Sequence, residues 1–227
     1  MNILSLFSGG GIGESRLEEA GFKVVCGVEL IESRCDFFAS IHNADLINGD
    51  LRHKNTKEKV YSLSKSKNID VIMATPPCQG MSIAGNMKFD DVRNTLIFDA
   101  VDIIRKIKPK YVFLENVPRQ LSTYVNYNNK VIKIPQYIHT SLQDLYNFNK
   151  DMIIKSMDYG VPQMRKRNIM LLTRKDQKVI WGFPKPLDSF VSLKDAISHL
   201  PSIDPMLKEG EKETMRLFHN IKHKEKE

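Results

Sequence analysis

The stretch TPPCQGMS, Thr75 to Ser82, places a cysteine behind two prolines at the end of the apolar run IDVIMA. Most free cysteines pack as small inert hydrophobes, and Cys26 and Cys35, inside apolar runs, belong to that class. Cys78 differs in context, because Pro76 and Pro77 restrict the backbone before it and hold the thiol on a stiff segment where a strand gives way to a loop. A thiol so placed at a ligand-binding edge can attack as its thiolate. Gln79-Gly80, Gly85 and the polar NMKFDD give the following loop a composition suited to moving and closing. Glu115 ends a second apolar run, YVFLE. Desolvated in a closed site, its carboxyl could stay protonated near neutral pH and bond to a substrate nitrogen; the plainer role is to cap a helix at Val117. In QMRKRN, strand alternation would put Gln163, Arg165 and Arg167 on one face. Two guanidiniums there suit phosphates, carbonyl oxygens or carboxylates, although solvated edge strands carry such charges too.

At the other end of the chain, the glycine cluster SGGGIG follows the apolar run NILSLF. Glycines after a first strand let the backbone approach a ligand, and an acidic residue about 20 positions on can hold ribose hydroxyls. Gly9 and Glu29 have that spacing. The dinucleotide fingerprint GxGxxG does not fit, since Glu14 stands three residues after Gly11. A nucleoside ligand without a pyrophosphate is therefore more natural than NAD; S-adenosylmethionine is one, and Asp50 could accept from its adenine amino group. A glycine turn that serves only packing is the alternative.

The elements needed to position these groups follow from periodicity. NILSLF, FKVVCGVE, Asp45 to Ile47, IDVIMA and KYVFLENV read as strands, and helical patterns fall at ESRLEEAG, Ile31 to His42, Arg52 to Asn68 and Asp91 to Lys108. In the last, Leu96, Ile97, Ala100, Val101, Ile104 and Ile107 share a face, and Pro109 stops it. Residues 118–149 are less regular, with one helix around Ser141 to Tyr146; DMIIKSMDYG, RNIMLLT and KVIWGF read as three further strands. Strands alternating with helices predict an α/β doubly wound, mostly parallel sheet with a mixed or antiparallel end. Ligands bind at the carboxyl ends of such strands, where SGGGIG, Glu29, Asp50, PPCQ and ENV all fall.

Composition is permissive by comparison. The 227 residues, 41% of them hydrophobic, suffice for one substantial core. Three cysteines without a CxxC pair or a His/Cys cluster argue against a disulfide framework and a structural zinc site. Net charge +7 favours a polyanionic partner only weakly. Neither a signal peptide nor an apolar run of bilayer length is present, so a cytoplasmic protein with no membrane association is expected.

With these residues assembled, the chain resembles the C5-cytosine methyltransferase family, most members of which modify DNA. FSGGGIGESRLEEAGF is similar to its S-adenosylmethionine loop, NGDL to its adenine-contacting segment, TPPCQGMS to its nucleophile loop, and FDDVRNTLIFDAVDIIRKIKPKYVFLENV and YGVPQMRKRNIML to its ENV and QxRxR segments. The resemblance implies a Rossmann-like class I S-adenosylmethionine-dependent methyltransferase fold, with residues 1–183 as the catalytic domain and 184–227 as an extension or the start of a target-recognition region. It implies that Phe7, Gly9, Gly11, Glu29, Leu30, Asp50, Leu51, Pro77 and Leu96 bind the cofactor. Cys78 would be the nucleophile, Glu115 the residue on the cytosine N3/N4 edge, and Arg165 and Arg167 the pair steadying thiol and base. Gln79, Ser82, Asn116 and Gln163 would be substrate-binding. The thiolate adds to C6 so that the poorly nucleophilic C5 can take the methyl group, and the base must leave the helix stack to be reached.

The chain also departs from the pattern. Ile12 stands where the family usually has glycine, and the recognition region, the arginine-rich helix and the GNAV-like segment are not found after QxRxR. A catalytic subunit completed by a second polypeptide is the favoured expectation, over a shortened chain. Double-stranded DNA is then the substrate, no metal is needed, and the rivals are tRNA cytosine methylation and a non-catalytic binding module.

Overall fold

Runs of β-branched residues and leucine form the centre of a mixed sheet in the structure, a computed structural model that describes residues 1–77, 92–149 and 152–200. Strands β1 (Asn2–Leu6), β2 (Lys23–Glu29), β3 (Asp45–Asn48), β4 (Val71–Ala74) and β5 (Tyr111–Asn116) are parallel and lie in the order β3-β2-β1-β4-β5. The order reverses at β1, so the carboxyl ends of β1 and β4 flank the switch point at which open α/β sheets bind ligands.

Helices connect these strands: α1 (Glu32–Ile41), α2 (Lys54–Lys67) and α3 (Leu96–Ile107). Helix α3 buries Leu96, Ile97, Ala100, Val101 and Ile104 as its periodicity predicts, together with Ile103, while Ile107 is only partly covered. This face joins Leu4, Leu6, Ile72, Ala74, Val112 and Leu114 in the core, where each buried Leu or Ile contributes about 1.5–3 kcal/mol. Lys108 ends the helix at φ 54, its N–H returning to the Ile104 carbonyl at 2.8 Å, and Pro109 prevents continuation. Helix α1 turns Cys35 and Phe38 inward; Ala39, expected beside them, is exposed, and His42 takes the third buried place.

The helix expected after the glycine cluster is instead two 3-10 turns, Ile12–Glu14 and Glu18–Ala20. Left-handed glycines close the segment at both ends, Gly11 at φ 76 and Gly21 at φ 80, and the buried Glu14 is drawn onto β1 by the Ser5 hydroxyl. Residues 118–149 hold a hairpin, β6 (Tyr124–Tyr127) and β7 (Lys130–Lys133), turned by Asn128 and Asn129 at positive φ, as two-residue hairpin loops require. Helix α4 (Ile134–Leu142) lies earlier than the span expected around Ser141 to Tyr146 and shares only Ser141 and Leu142 with it, because Tyr146 already belongs to β8 (Tyr146–Phe148), with its hydroxyl donating to the Pro109 carbonyl at 2.9 Å.

The far end of the sheet is antiparallel, as expected: β10 (Lys166–Arg174) pairs with β5, β8 and β9 (Met152–Lys155). KVIWGF is not a strand. Trp181 lies edge-on to Tyr111 at 5.6 Å and tilted over Phe113 at 6.4 Å, so the run covers β5 with side chains instead of pairing through its backbone. The sheet belongs to a compact unit of Met1–Lys155 and Arg165–Pro186. A second unit takes in Ser156–Met164 and the chain from Leu187 onward; its Leu187 N–H bonds to the Asp158 carbonyl, and its short α5 (Leu193–Ile197) starts at a Ser192–Asp195 capping box.

Candidate active site

The switch point is built on strain and on one buried carboxylate. Beyond β1, Phe7 adopts φ 58, a left-handed conformation costing a non-glycine residue about 1–2 kcal/mol. Thr75, beyond β4, donates to the Leu6 carbonyl through its N–H (3.3 Å) and to the Phe7 carbonyl through its hydroxyl (3.1 Å), tying the two strand ends together. Gly9, at φ 57, donates its N–H to Glu29 Oε2 at 2.9 Å, and Ile31 N–H reaches Oε1 at 2.9 Å. Glu29 is only 6% exposed, and a carboxylate has about four acceptor positions, so it keeps acceptor capacity for ribose hydroxyls. Arg34 Nη1 stands 3.9 Å away.

Asp50 is gripped by Arg52, whose backbone N–H reaches Oδ1 at 2.9 Å while Nε and Nη2 fork onto the carboxylate at 3.0 and 2.5 Å. Hydrogen bonding from the Arg52 guanidinium holds the Asp50 carboxyl below the usual carboxylate range, despite partial burial, and keeps it an acceptor. Glu29 and Asp50 face a cavity of about 450 Å³ whose wall also includes Phe7, Leu30, Leu51, Pro77 and Leu96, a volume typical of small-molecule sites. Leu51 is buried, whereas Leu30 is 58% exposed at the rim. Gly9 and Gly11 do not line the cavity; Gly9 acts through Glu29. The Ser8 hydroxyl, in the same loop, is buried and has no hydrogen-bond partner among the described residues. Acidic acceptors and apolar walls fit an adenosyl group.

His42 was not among the residues singled out from sequence. Its Nε2 lies 2.8 Å from the Gly11 carbonyl oxygen, and its ring packs 4.7 Å from that of Phe38. The available signal was its place four residues after Phe38, on the inward face of α1.

On β5, Glu115 and Asn116 point to opposite faces. Asn116 is 2% exposed, with Nδ2 donating to the Pro76 carbonyl at 3.0 Å and Oδ1 accepting from Val117 N–H at 2.9 Å. Glu115 is half-buried, and Arg167 Nε lies 2.7 Å from its Oε1. Burial pushes the Glu115 carboxyl up, outweighing the opposite pull of Arg167 and Arg165. Arg167 lies in β10 and Arg165 just before it, both in the sheet's unit, while Gln163 is exposed in the second unit. The expected common strand face of Gln163, Arg165 and Arg167 is therefore not formed: the strand starts only at Lys166, after a turn in which Gln163 N–H bonds to the Val161 carbonyl at 2.7 Å. Cys78, Gln79 and Ser82 lie outside the described residues. Burial pushes the Cys26 thiol up to about 12 and raises that of Cys35, so both are inert. Among the described residues, no three His, Cys, Asp or Glu side chains gather as a metal site, and no helix is long and apolar enough to cross a membrane.

A parallel sheet in this order, an antiparallel strand beyond β5 and a nucleoside-sized cavity at the switch point define the Rossmann-like fold of S-adenosylmethionine-dependent methyltransferases. An E. coli prophage-encoded protein described as a DNA modification methyltransferase shares the fold at TM-score 0.71 and 26% identity, over 90% of this chain and 56% of its own. The family model for C-5 cytosine-specific DNA methylase matches residues 1–227, and the chain belongs to that family. S-adenosylmethionine is the cofactor that this family and fold imply. Similar proteins include the Type II methyltransferase M1.HgaI of Avibacterium volantium, 37% identical over 207 residues, and M.MthTI of Methanothermobacter thermautotrophicus, 31% identical over 213. These alignments cover 88% and 92% of this chain but 57% and 60% of the relatives. The chain thus spans little more than half the length of the relatives it matches.

Proposed function

We propose that this chain is the catalytic part of a DNA cytosine-5 methyltransferase, with Cys78 as nucleophile and S-adenosylmethionine in the cavity at the switch point. The observation that carries the reading is that Pro77 forms part of the cavity wall and Cys78 is the next residue, one Cα step of about 3.8 Å away. Pro77 thus brings the chain to the cavity immediately before Cys78, which supports the reading.

Bound S-adenosylmethionine supplies an electrophilic methyl group. Glu29 would accept from the ribose hydroxyls and Asp50 from the adenine amino group, and Phe7, Leu51 and Leu96 would enclose the base. Asn116, by holding the Pro76 carbonyl, fixes the direction in which the chain enters the Cys78 loop. With the cofactor bound, the Cys78 thiolate would bond to C6 of a flipped cytosine while the Glu115 carboxyl gives its proton to N3; C5 would take the methyl group, releasing S-adenosylhomocysteine, and would then lose its proton to water as the C6–S bond breaks and the C5–C6 double bond is restored. Glu115, its carboxyl raised by burial, holds the N3/N4 edge, and Arg167 orients Glu115 while facing the base. Arg165 adds positive charge beside the pair, and Gln79, Ser82 and Gln163 contact the DNA. A second polypeptide carrying the recognition region is part of this reading, and an assay of the chain with and without such a polypeptide tests it.

Duplex DNA containing 5-fluorocytosine, given cofactor and the chain together with its completing polypeptide, should trap an adduct on Cys78 that disappears in Cys78→Ser. A stable adduct in the serine variant would remove Cys78 from the mechanism. Parallel assays with labelled cofactor should methylate duplex DNA and leave tRNA unlabelled. Site-specific methylation by the 227-residue chain alone would rule out the need for a partner.

A further inference from the structure

We propose that His42 is a positioning residue of the cofactor site, its Nε2–H holding the Gly11 carbonyl and thereby fixing the glycine loop. The inference rests on the cofactor reading above and adds a residue to it. Because a carbonyl oxygen only accepts, the 2.8 Å contact between His42 Nε2 and Gly11 O requires Nε2 to carry the proton. His42 is 6% exposed, so water does not readily replace it as donor.

A Cβ on Gly11 would come within 2.6 Å of His42 Cδ2 and 2.7 Å of Phe38 Cδ2, and one on Gly27 within 2.6 Å of the Phe38 ring. Gly11 therefore rests directly on both His42 and Phe38, and Gly27 on Phe38. Helix α1 gives this contact its consequence. Ile31, its N-cap, holds Glu29 Oε1, and His42, its C-cap, holds Gly11, while Gly9 holds Glu29 Oε2. Gly9, Glu29, Ile31, α1, His42 and Gly11 form a closed circuit. Loss of the His42 donor opens it at Gly11 and loosens the loop that sets the position of Glu29.

The test uses the full chain. His42→Phe keeps an aromatic ring against Phe38 and removes the donor; His42→Gln replaces the ring but returns an N–H near the same place. The loop amides of residues 9–14 should exchange with deuterium about tenfold faster in His42→Phe, with sheet amides unchanged, and S-adenosylmethionine should bind about tenfold more weakly by calorimetry; His42→Gln should restore both. A folded His42→Phe with loop exchange as in the unmodified chain overturns the proposal. If His42→Phe does not fold, the imidazole ¹⁵N spectrum of the unmodified chain at pH 8 decides: a protonated, slowly exchanging Nε2 supports the assignment and an unprotonated Nε2 overturns it. If loop exchange responds but the unmodified chain binds no S-adenosylmethionine, the positioning role stands and the cofactor reading falls.

Discussion

Replacing Asn116 by alanine removes two hydrogen bonds at a site that water does not reach. Asn116 is 2% exposed, and its amide serves the Pro76 carbonyl at 3.0 Å and the Val117 N–H at 2.9 Å. Truncation leaves both backbone groups without these partners, and an unsatisfied buried group costs about 1–3 kcal/mol. Allowing for partial relaxation of the loop side, the loss should be about 2–4 kcal/mol. For a chain of this size each kcal/mol lowers the melting temperature by about 2–4 °C, so the variant should melt about 4–16 °C below the unmodified protein. Asn116→Asp should do no better, since it keeps the acceptor for Val117 but turns an oxygen toward the Pro76 carbonyl. Asn126→Ala, exposed in the β6–β7 hairpin, is the control and should stay within about 0.5 kcal/mol. Thermal melts and urea titrations of the three variants measure the difference. An Asn116→Ala protein within about 0.5 kcal/mol of the unmodified chain would refute the reasoning. Because Pro76 lies two residues before Cys78, adduct formation should slow as well, by up to about 100-fold if the thiol is displaced by an ångström.

Gly11→Ala should destabilise by about 2 kcal/mol or more, since it adds a left-handed alanine to a clash with His42 and Phe38, whereas Gly13→Ala, with open space around its Cβ, should be near neutral in the same melts. Glu115 gives a pH signature: its folded carboxyl is raised above the ordinary 4.5 by burial. The fold therefore favours the protonated form, and this contribution is fully present below the ordinary value and lost as pH rises through the raised folded one. Glu115→Gln has no such group, so its stability relative to the unmodified chain should increase with pH above about 4.5; a constant difference across pH 4–7 in urea titrations would count against the raised carboxyl.

The strand ends were legible because each is marked by a local break in pattern: glycines after NILSLF, Glu29 after an apolar run, prolines before Cys78, and Glu115-Asn116 closing YVFL. Where local pattern competed with long-range packing, it misled. KVIWGF has the composition of a strand, yet Trp181 is held against Tyr111 and Phe113 by ring contacts. ESRLEEAG has the composition of a helix, yet Ser5 draws Glu14 onto β1. The alternation in QMRKRN means little before Lys166, where no strand has begun.

The sequence by itself determined which chemical groups are available and that they fall at strand ends, because periodicity and turn chemistry act over a few residues. Only the tertiary structure decided which of these groups meet. Gly9 and Glu29 share a hydrogen bond across 20 positions, Asn116 reaches Pro76 across 40, Arg167 pairs with Glu115 on an antiparallel neighbour, and His42 supports Gly11 across 31. Such contacts depend on sheet order and on the packing of α1 and α3, and these are set by burial summed over the whole core, with no signature in any one segment.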